Sequence, residues 1–198
     1  MNKSRVEAFT DAVLAIILTI MILEFKTPES MKLTAILHQV PYLISYAIGY
    51  LFIGVAWYNH HYMFAKTHFV TKKIYWANNL WLFSTSFLPV ATAWVGENLR
   101  AQGPQIFYAI CYAFWAFAYM LLSYLIAQVN AANGHEDVAQ SIHSMLIYRF
   151  LSHWQTASLH VIATVVVLIF YPAIQLLLVA AEIIFIGARS NSDSDKLF

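Results

Sequence analysis

The chain sorts into long apolar stretches divided by short polar breaks. Crossing the hydrocarbon core takes about 20 mostly apolar residues in helix, and six stretches meet that need: 5–24, 38–60, 74–95, 105–128, 149–170 and 172–188. The breaks "KTPESMK", "HYMFAKTHFVTKK", "GENLRAQGP" and "NAANGHEDVAQSIHS" concentrate charged and turn-forming residues. The fifth and sixth stretches are joined only by "YP", because Pro172 cannot continue the preceding helix but suits the first turn of the next. The pattern predicts an all-α integral membrane protein with a single six-helix transmembrane domain over residues 1–190 and a polar tail at 191–198.

Composition agrees with a membrane setting and removes several functions. The 198 residues are 61% hydrophobic, 16% aromatic and only 11% charged, far from the soluble average of about a quarter charged. A net charge of +1 supplies no field for nucleic acid or for a strongly charged partner. The one cysteine, Cys111, has no internal partner and reads as a small core hydrophobe. Lys3 and Arg5 precede the first stretch as in a signal peptide, but Glu7 and Asp11 interrupt it and no small-residue cleavage site follows, so it reads as a retained span. Orientation follows from the basic residues. Lys3, Arg5, Lys66, Lys72, Lys73, Arg149, Arg189 and Lys196 fall on one side, and Lys26, Lys32 and Arg100 on the other, which predicts both termini in the cytoplasm. Trp57, Trp76, Trp81, Trp94 and Trp154 lie near predicted span ends, in part as an interfacial belt and in part between helices.

Polar residues inside spans carry the candidate chemistry, since each must be satisfied by a neighbour or by water. Asp11 stands six residues after Arg5, about 9 Å further along a helix, so it looks to another helix for its partner. Trp57, Asn59, His60, His61, Asn78 and Asn79 bring donors to the same predicted depth from the second and third spans. The adjacent His60 and His61, and His153 with His160 at i, i+7, raise a metal reading. No local His-x-x-x-His spacing or carboxylate cluster supports it, and hydrogen bonding is the simpler role. Glu182 stands alone with Gln175 on its span, and no Ser-His-acid or Cys-His set exists, so no enzyme is predicted. "AIGYLFIG" lacks the flanking residues of a carbonyl filter and reads as a packing face at Gly49 and Gly54. On a helical wheel, Ile16, Thr19, Ile20 and Leu23 of the first span form one stripe. It is either ordinary packing surface or, if several copies met on an axis, a bottleneck about 10 Å long with Glu24 and Glu29 at its mouth.

"RVEAFTD", Arg5 to Asp11, resembles the Arg-x-x-x-Phe-Ser-Asp signature of the transmembrane protein 175 family, whose prokaryotic members have one six-helix unit per chain. The run "DAVLAIILTIMILE", Trp57 and His60 in "WYNHH", Asn79-Leu80 and Pro89 strengthen the likeness. Thr10 departs from the family's serine but keeps a hydroxyl. The resemblance implies a homotetrameric, potassium-permeable cation channel in the plasma membrane of a prokaryote, without a carbonyl filter and with no cofactor beyond permeant K⁺. Its partners would be its own copies, the bilayer, and K⁺ and other monovalent cations. It places a hydrophobic ring at Ile16, further pore layers at Ile20 and Leu23, and a threonine layer at Thr19. Arg5, Phe9, Thr10 and Asp11 would hold the first helix to the second and third through Trp57, His60 and Asn79. The rival from another class is a proton-coupled or solute transporter with Asp11, His60 and Glu182 as a relay; internal repeats or broken helices near the midplane would mark it. A metal-dependent membrane enzyme using the histidines is the third reading.

Overall fold

The first helix begins on a cap. The Asn2 side chain accepts from the Arg5 backbone N–H and satisfies a donor that the first turn leaves without a partner. From there a computed structural model describes residues 2–190. The predicted polar tail, with Lys196, lies outside the described residues.

Helix α1 spans Lys3–Ile20 and tightens into a 3₁₀ turn over Met21–Glu24. A 3₁₀ segment, Leu33–Gln39, leads into α2, Val40–Lys66. Then come α3 (Lys72–Thr85), α4 (Leu88–Glu97), α5 (Gln102–Ala132), α6 (Glu136–Ser144), α7 (Leu146–Ser152), α8 (Trp154–Phe170) and, after a 3₁₀ turn at Pro172–Ile174, α9 (Gln175–Arg189). No strand occurs among the described residues.

Four of these segments are long and apolar enough to cross a bilayer: Lys3–Glu24, Leu33–Lys66, Gln102–Ala132 and Pro172–Arg189. The pair α7 and α8 makes a fifth if it is taken as one span broken by a 71° bend. The sequence predicts two continuous helices where the structure has breaks. The stretch 74–95 is interrupted between α3 and α4. Pro89 lacks an N–H, and inside a helix its ring would strike the carbonyl of Thr85, where α3 ends. Hydroxyls add to the backbone bonds at this end: Thr85 donates to Trp81 O and Ser86 to Phe83 O, both at 2.7 Å. The stretch 149–170 is broken at His153, whose backbone is extended (φ −76, ψ 122). Thr156 holds that break by donating to the carbonyls of Phe150 and His153.

The core lies among α2, α3, α4 and α5, where Ile53, Met63, Phe64, Trp81, Tyr119 and Leu122 are fully or almost fully buried. Glycine lets α4 approach α2 closely: a Cβ on Gly96 would sit 2.9 Å from Tyr42 Cα. Gly49 is similarly enclosed by Met21 and Thr92, whereas Gly54 faces open space and is not part of a packing face. Beyond α5, Gly134 takes a left-handed φ of 87° to end the helix. One turn earlier, Asn130 Oδ1 accepts from the backbone N–H groups of His68 and Phe69 and pins the α2–α3 loop. Helix α8 is mostly apolar from Val161 onward and has no buried residue. A helix of that kind needs lipid around it.

Candidate functional site

Helix α1 has two unlike faces. Val6, Thr10, Leu14 and Ile17, with Met21 just beyond, are buried against neighbouring helices at the 3- and 4-residue spacing of one helical side. The other side carries Phe9, Ile16, Thr19, Ile20 and Leu23, all exposed, with Ile16 at 57% and Leu23 at 76%. The Thr19 hydroxyl donates to Ala15 O and Ile16 O at 3.0 and 2.9 Å. Its proton is therefore used within the helix, and its oxygen lone pairs are what the side chain offers outward. Because the helix narrows to 3₁₀ after Ile20, where the rise per residue is larger, Ile16 to Leu23 covers about 12 Å rather than about 10 Å. Tyr42 OH donates to Met21 O at 2.8 Å and ties the narrowing to α2. Glu24 and Glu29 lie beyond it, both exposed.

The buried side of α1 is joined to α2 and α3 by a directed chain of hydrogen bonds. Thr10 donates to Val6 O at 2.9 Å. With its one proton so used, Thr10 accepts from Asn78 Nδ2 at 2.8 Å. The amide is thereby oriented with Oδ1 towards His60 Nε2, also at 2.8 Å, so that ring nitrogen must be the donor. Thr10 and Asn78 are fully buried and His60 is 2% exposed. The imidazole is clamped between the rings of Phe64 and Trp81, at 4.3 and 4.7 Å between centroids. Beside this chain, Trp57 Nε1 donates to Asp11 Oδ1 at 2.8 Å.

Of the anchor residues expected from the sequence, the structure joins Asp11 to Trp57 directly and Thr10 to His60 through Asn78. Asn79 is a correction. Its amide donates to Tyr75 O within its own helix, and Asn78, one residue earlier, bridges α1 and α2. The wheel of α3 carries the reason. Asn78 shares a side with the buried Ile74, Trp81, Leu82 and Thr85, and Asn79 lies about 100° away beside half-buried Tyr75. Arg5 and Phe9 are exposed and border a surface hollow with Tyr75.

Comparison with known proteins places this geometry. The family model described as "Endosomal/lysosomal potassium channel TMEM175" matches residues 5–89, a range that contains most of α1, all of α2 and α3, and every residue of the anchor. A potassium channel of Chryseobacterium sp. (strain P1-3) is 38% identical over 144 residues, 73% of this chain and 74% of that protein. The chain belongs to the TMEM175 family. This is a family of potassium channels rather than of enzymes. A potassium channel of Streptomyces collinus (strain DSM 40733 / Tue 365) is 37% identical over 105 residues, half of this chain and 51% of that one. In fold, the chain is similar to the crystal structure of a lysosomal potassium-selective channel TMEM175 homolog from Chamaesiphon minutus. The TM-score is 0.70 at 23% identity, covering 96% of this chain and 98% of that one.

A second polar group in this TMEM175 chain was not foreseen as a unit. Glu182, expected to stand alone, accepts from His160 Nδ1 at 2.6 Å and from Tyr112 OH at 3.1 Å, joining α9 to α8 and α5. His160 stacks on Tyr112 at 4.9 Å. His153 does not share a helical side with His160, because it sits at the extended break before α8. The relay of Asp11, His60 and Glu182 is not assembled. Among the described residues Asp11 pairs with Trp57, His60 with Asn78, and Glu182 with His160 and Tyr112. The signal for the His160–Glu182 pair was present in the sequence as one acid and one histidine on spans joined only by "YP".

Proposed function

We propose that the chain is a homotetrameric, potassium-permeable cation channel whose α1 helices surround the conducting axis, with Ile16 as a hydrophobic constriction and no carbonyl filter. The observation that carries this reading is the exposed side of α1 in a chain of a potassium-channel family. Ile16, Thr19, Ile20 and Leu23 lie open on a helix whose opposite side is packed and hydrogen-bonded. Helix α8 is also exposed, but it carries only apolar residues towards the outside at its middle, as lipid contact requires. The α1 stripe instead holds a hydroxyl oxygen with free lone pairs, has Asp11 at one end and Glu24 at the other, and suits partly dehydrated cations. Branched side chains at Ile16 and Ile20 resist wetting, which is how apolar constrictions gate and select. Six membrane crossings, with α3–α4 and α7–α8 each counted as one broken span, put both termini on the cytoplasmic side of a prokaryotic plasma membrane. The distribution of Lys and Arg supports that orientation.

Ile16→Asn in planar bilayers tests the constriction. We expect a several-fold rise in conductance and a K⁺ over Na⁺ permeability ratio moving towards one. An unchanged ratio removes Ile16 from the constriction. Native mass spectrometry should give four chains per particle, and liposome flux should be passive and unsaturated; obligatory H⁺ coupling with saturation would return the transporter reading.

A further inference from the structure

Between α3 and α5 an open groove of about 630 Å³ is lined by Trp76, Ala77, Leu80, Leu121 and Leu125, with Lys72 and Lys73 at one end. The lysines occupy the first turn of α3, which contains no acidic residue. That is the positive end of the helix dipole, where carboxylates are favoured and ammonium groups repel. Both lysines are exposed, and no ion pair or hydrogen bond from either side chain occurs among the described residues. The Thr71 side chain caps the Ile74 N–H, but no anionic group neutralises the two cations at this end among the described residues.

The groove continues from this charged end in one direction. Lys72, Lys73, Trp76, Ala77 and Leu80 follow each other on one side of α3 over about 12 Å, and Leu121 and Leu125 of α5 form the facing wall. A charged mouth at the end of a membrane helix, an indole one turn inside it (Trp76 is 60% exposed) and an apolar channel beyond repeat the order of phosphate, glycerol and acyl chain in a phospholipid. Tryptophan favours that interfacial depth, and the volume is within the range of ordinary ligand sites.

We propose that this groove binds an anionic phospholipid, its phosphate held by Lys72, Lys73 and the N-terminus of α3 and one acyl chain laid along Trp76, Leu80, Leu121 and Leu125. The lipid supplies the negative charge that the first turn of α3 lacks and covers a wall that packing leaves open.

The test uses the full chain in zwitterionic detergent. Phosphatidylglycerol and phosphatidylcholine of identical chains are titrated in, and bound lipid is counted by native mass spectrometry. The native chain is expected to retain phosphatidylglycerol about 25-fold better than phosphatidylcholine, because each of the two lysines near a phosphate contributes roughly a factor of five. Lys72→Gln with Lys73→Gln should abolish that preference while leaving the melting temperature in detergent unchanged. Leu125→Trp, which fills the groove with both lysines intact, should lower phosphatidylglycerol retention and serves if the double variant does not fold. Equal retention of the two lipids by the native chain, a preference that survives the lysine changes, or undiminished phosphatidylglycerol retention by Leu125→Trp overturns the proposal. So does displacement of the lipid by glycerol 1-phosphate at equal concentration, which would make this a soluble-phosphate site. Oxidative cross-linking between copies through Trp76→Cys in a Cys111→Ala background would show instead that a second chain covers the groove.

Discussion

Asn78 and Asn79 are neighbours of the same type, and the structure gives them very different weights. Asn78→Leu keeps the volume of the side chain and removes two bonds between helices, the one from His60 Nε2 and the one to Thr10 Oγ1, both 2.8 Å. Hydrogen bonds between membrane helices contribute about 0.6 kcal/mol on average and up to about 1.7 kcal/mol. Here His60 Nε2 would be left without an acceptor in a 2% exposed position, which puts the loss near the upper end, about 2–3 kcal/mol. Asn79→Leu removes one bond to Tyr75 O, a carbonyl inside a regular helix, and costs under about 0.5 kcal/mol. For a chain of this size 1 kcal/mol corresponds to about 2–4 °C. The expected loss in melting temperature, read by tryptophan fluorescence in detergent, is therefore about 4–12 °C for Asn78→Leu and under about 2 °C for Asn79→Leu. Thr10→Val combined with Asn78→Leu should cost clearly less than the sum of the two single changes, since both break the same bond. Equal losses at positions 78 and 79, or full additivity, would refute the directed chain described above.

Four further outcomes follow from the same structure. Glu182→Leu leaves His160 Nδ1 and Tyr112 OH without their acceptor and should cost about 2–4 kcal/mol, most of it recovered in the double variant Glu182→Leu/His160→Leu; thermal melting of the three proteins decides it. Gly96→Ala pushes a methyl against Tyr42 Cα, 2.9 Å away, and should destabilise by about 1–3 kcal/mol. Gly54→Ala meets nothing within 4 Å and should stabilise by about 0.5–1 kcal/mol in the same melting assay. At the proposed constriction, Ile16→Asn should lower selectivity in bilayers where Leu14→Val, on the packed side of α1, leaves the permeability ratio unchanged.

Apolar run length was enough to find the four segments that can cross a bilayer, because a crossing demands a quantity of apolar residues that little else in a sequence requires, but it gave no sign of α6, which lies in a polar break. It was not enough to locate the breaks. Pro89 announces one of them through its missing N–H. The bend at His153 has no proline or glycine and rests on a Thr156 hydroxyl reaching the Phe150 carbonyl, a contact that any threonine near a helix start can make or leave unmade. The anchor was legible in kind, since Asp11, Thr10 and the donors on the next two spans had to be satisfied by one another. Choosing Asn78 over Asn79 needed the rotation of α3, and that is set by which residues pack on α5: Trp81 and Leu82 turn inward and carry Asn78 with them. The His160–Glu182 pair was obscured because each residue, read along its own helix, is isolated; only the packing of α9 across α8 and α5 brings them together.

In the proposed assembly α1 receives no packing from the side that faces the conducting axis, and in lipid no hydrophobic force presses its other side against the protein. Helix α1 is instead fastened towards its start, by Lys3 to the Ala65 carbonyl, Thr10 to Asn78 and Asp11 to Trp57, and at its end by the Met21 carbonyl to Tyr42 OH, with only apolar contacts of Leu14 and Ile17 between Asp11 and Met21. Thr10 and Met21 are 11 residues apart, about 17 Å along the axis, and Ile16 lies midway. Tyr42→Phe removes the outer one alone: the ring is 5% exposed and its packing survives, so the loss is a single bond of about 1 kcal/mol. Hydrogen exchange read by mass spectrometry should then show faster exchange over residues 20–25, with the region of Thr10 unchanged, and Asn78→Leu should produce the reverse. If Tyr42→Phe instead loosened α1 uniformly, the fastenings at the two ends would not be independent. The proposed constriction at Ile16 would then be held by the helix as a rigid rod, not by separate bonds above and below it.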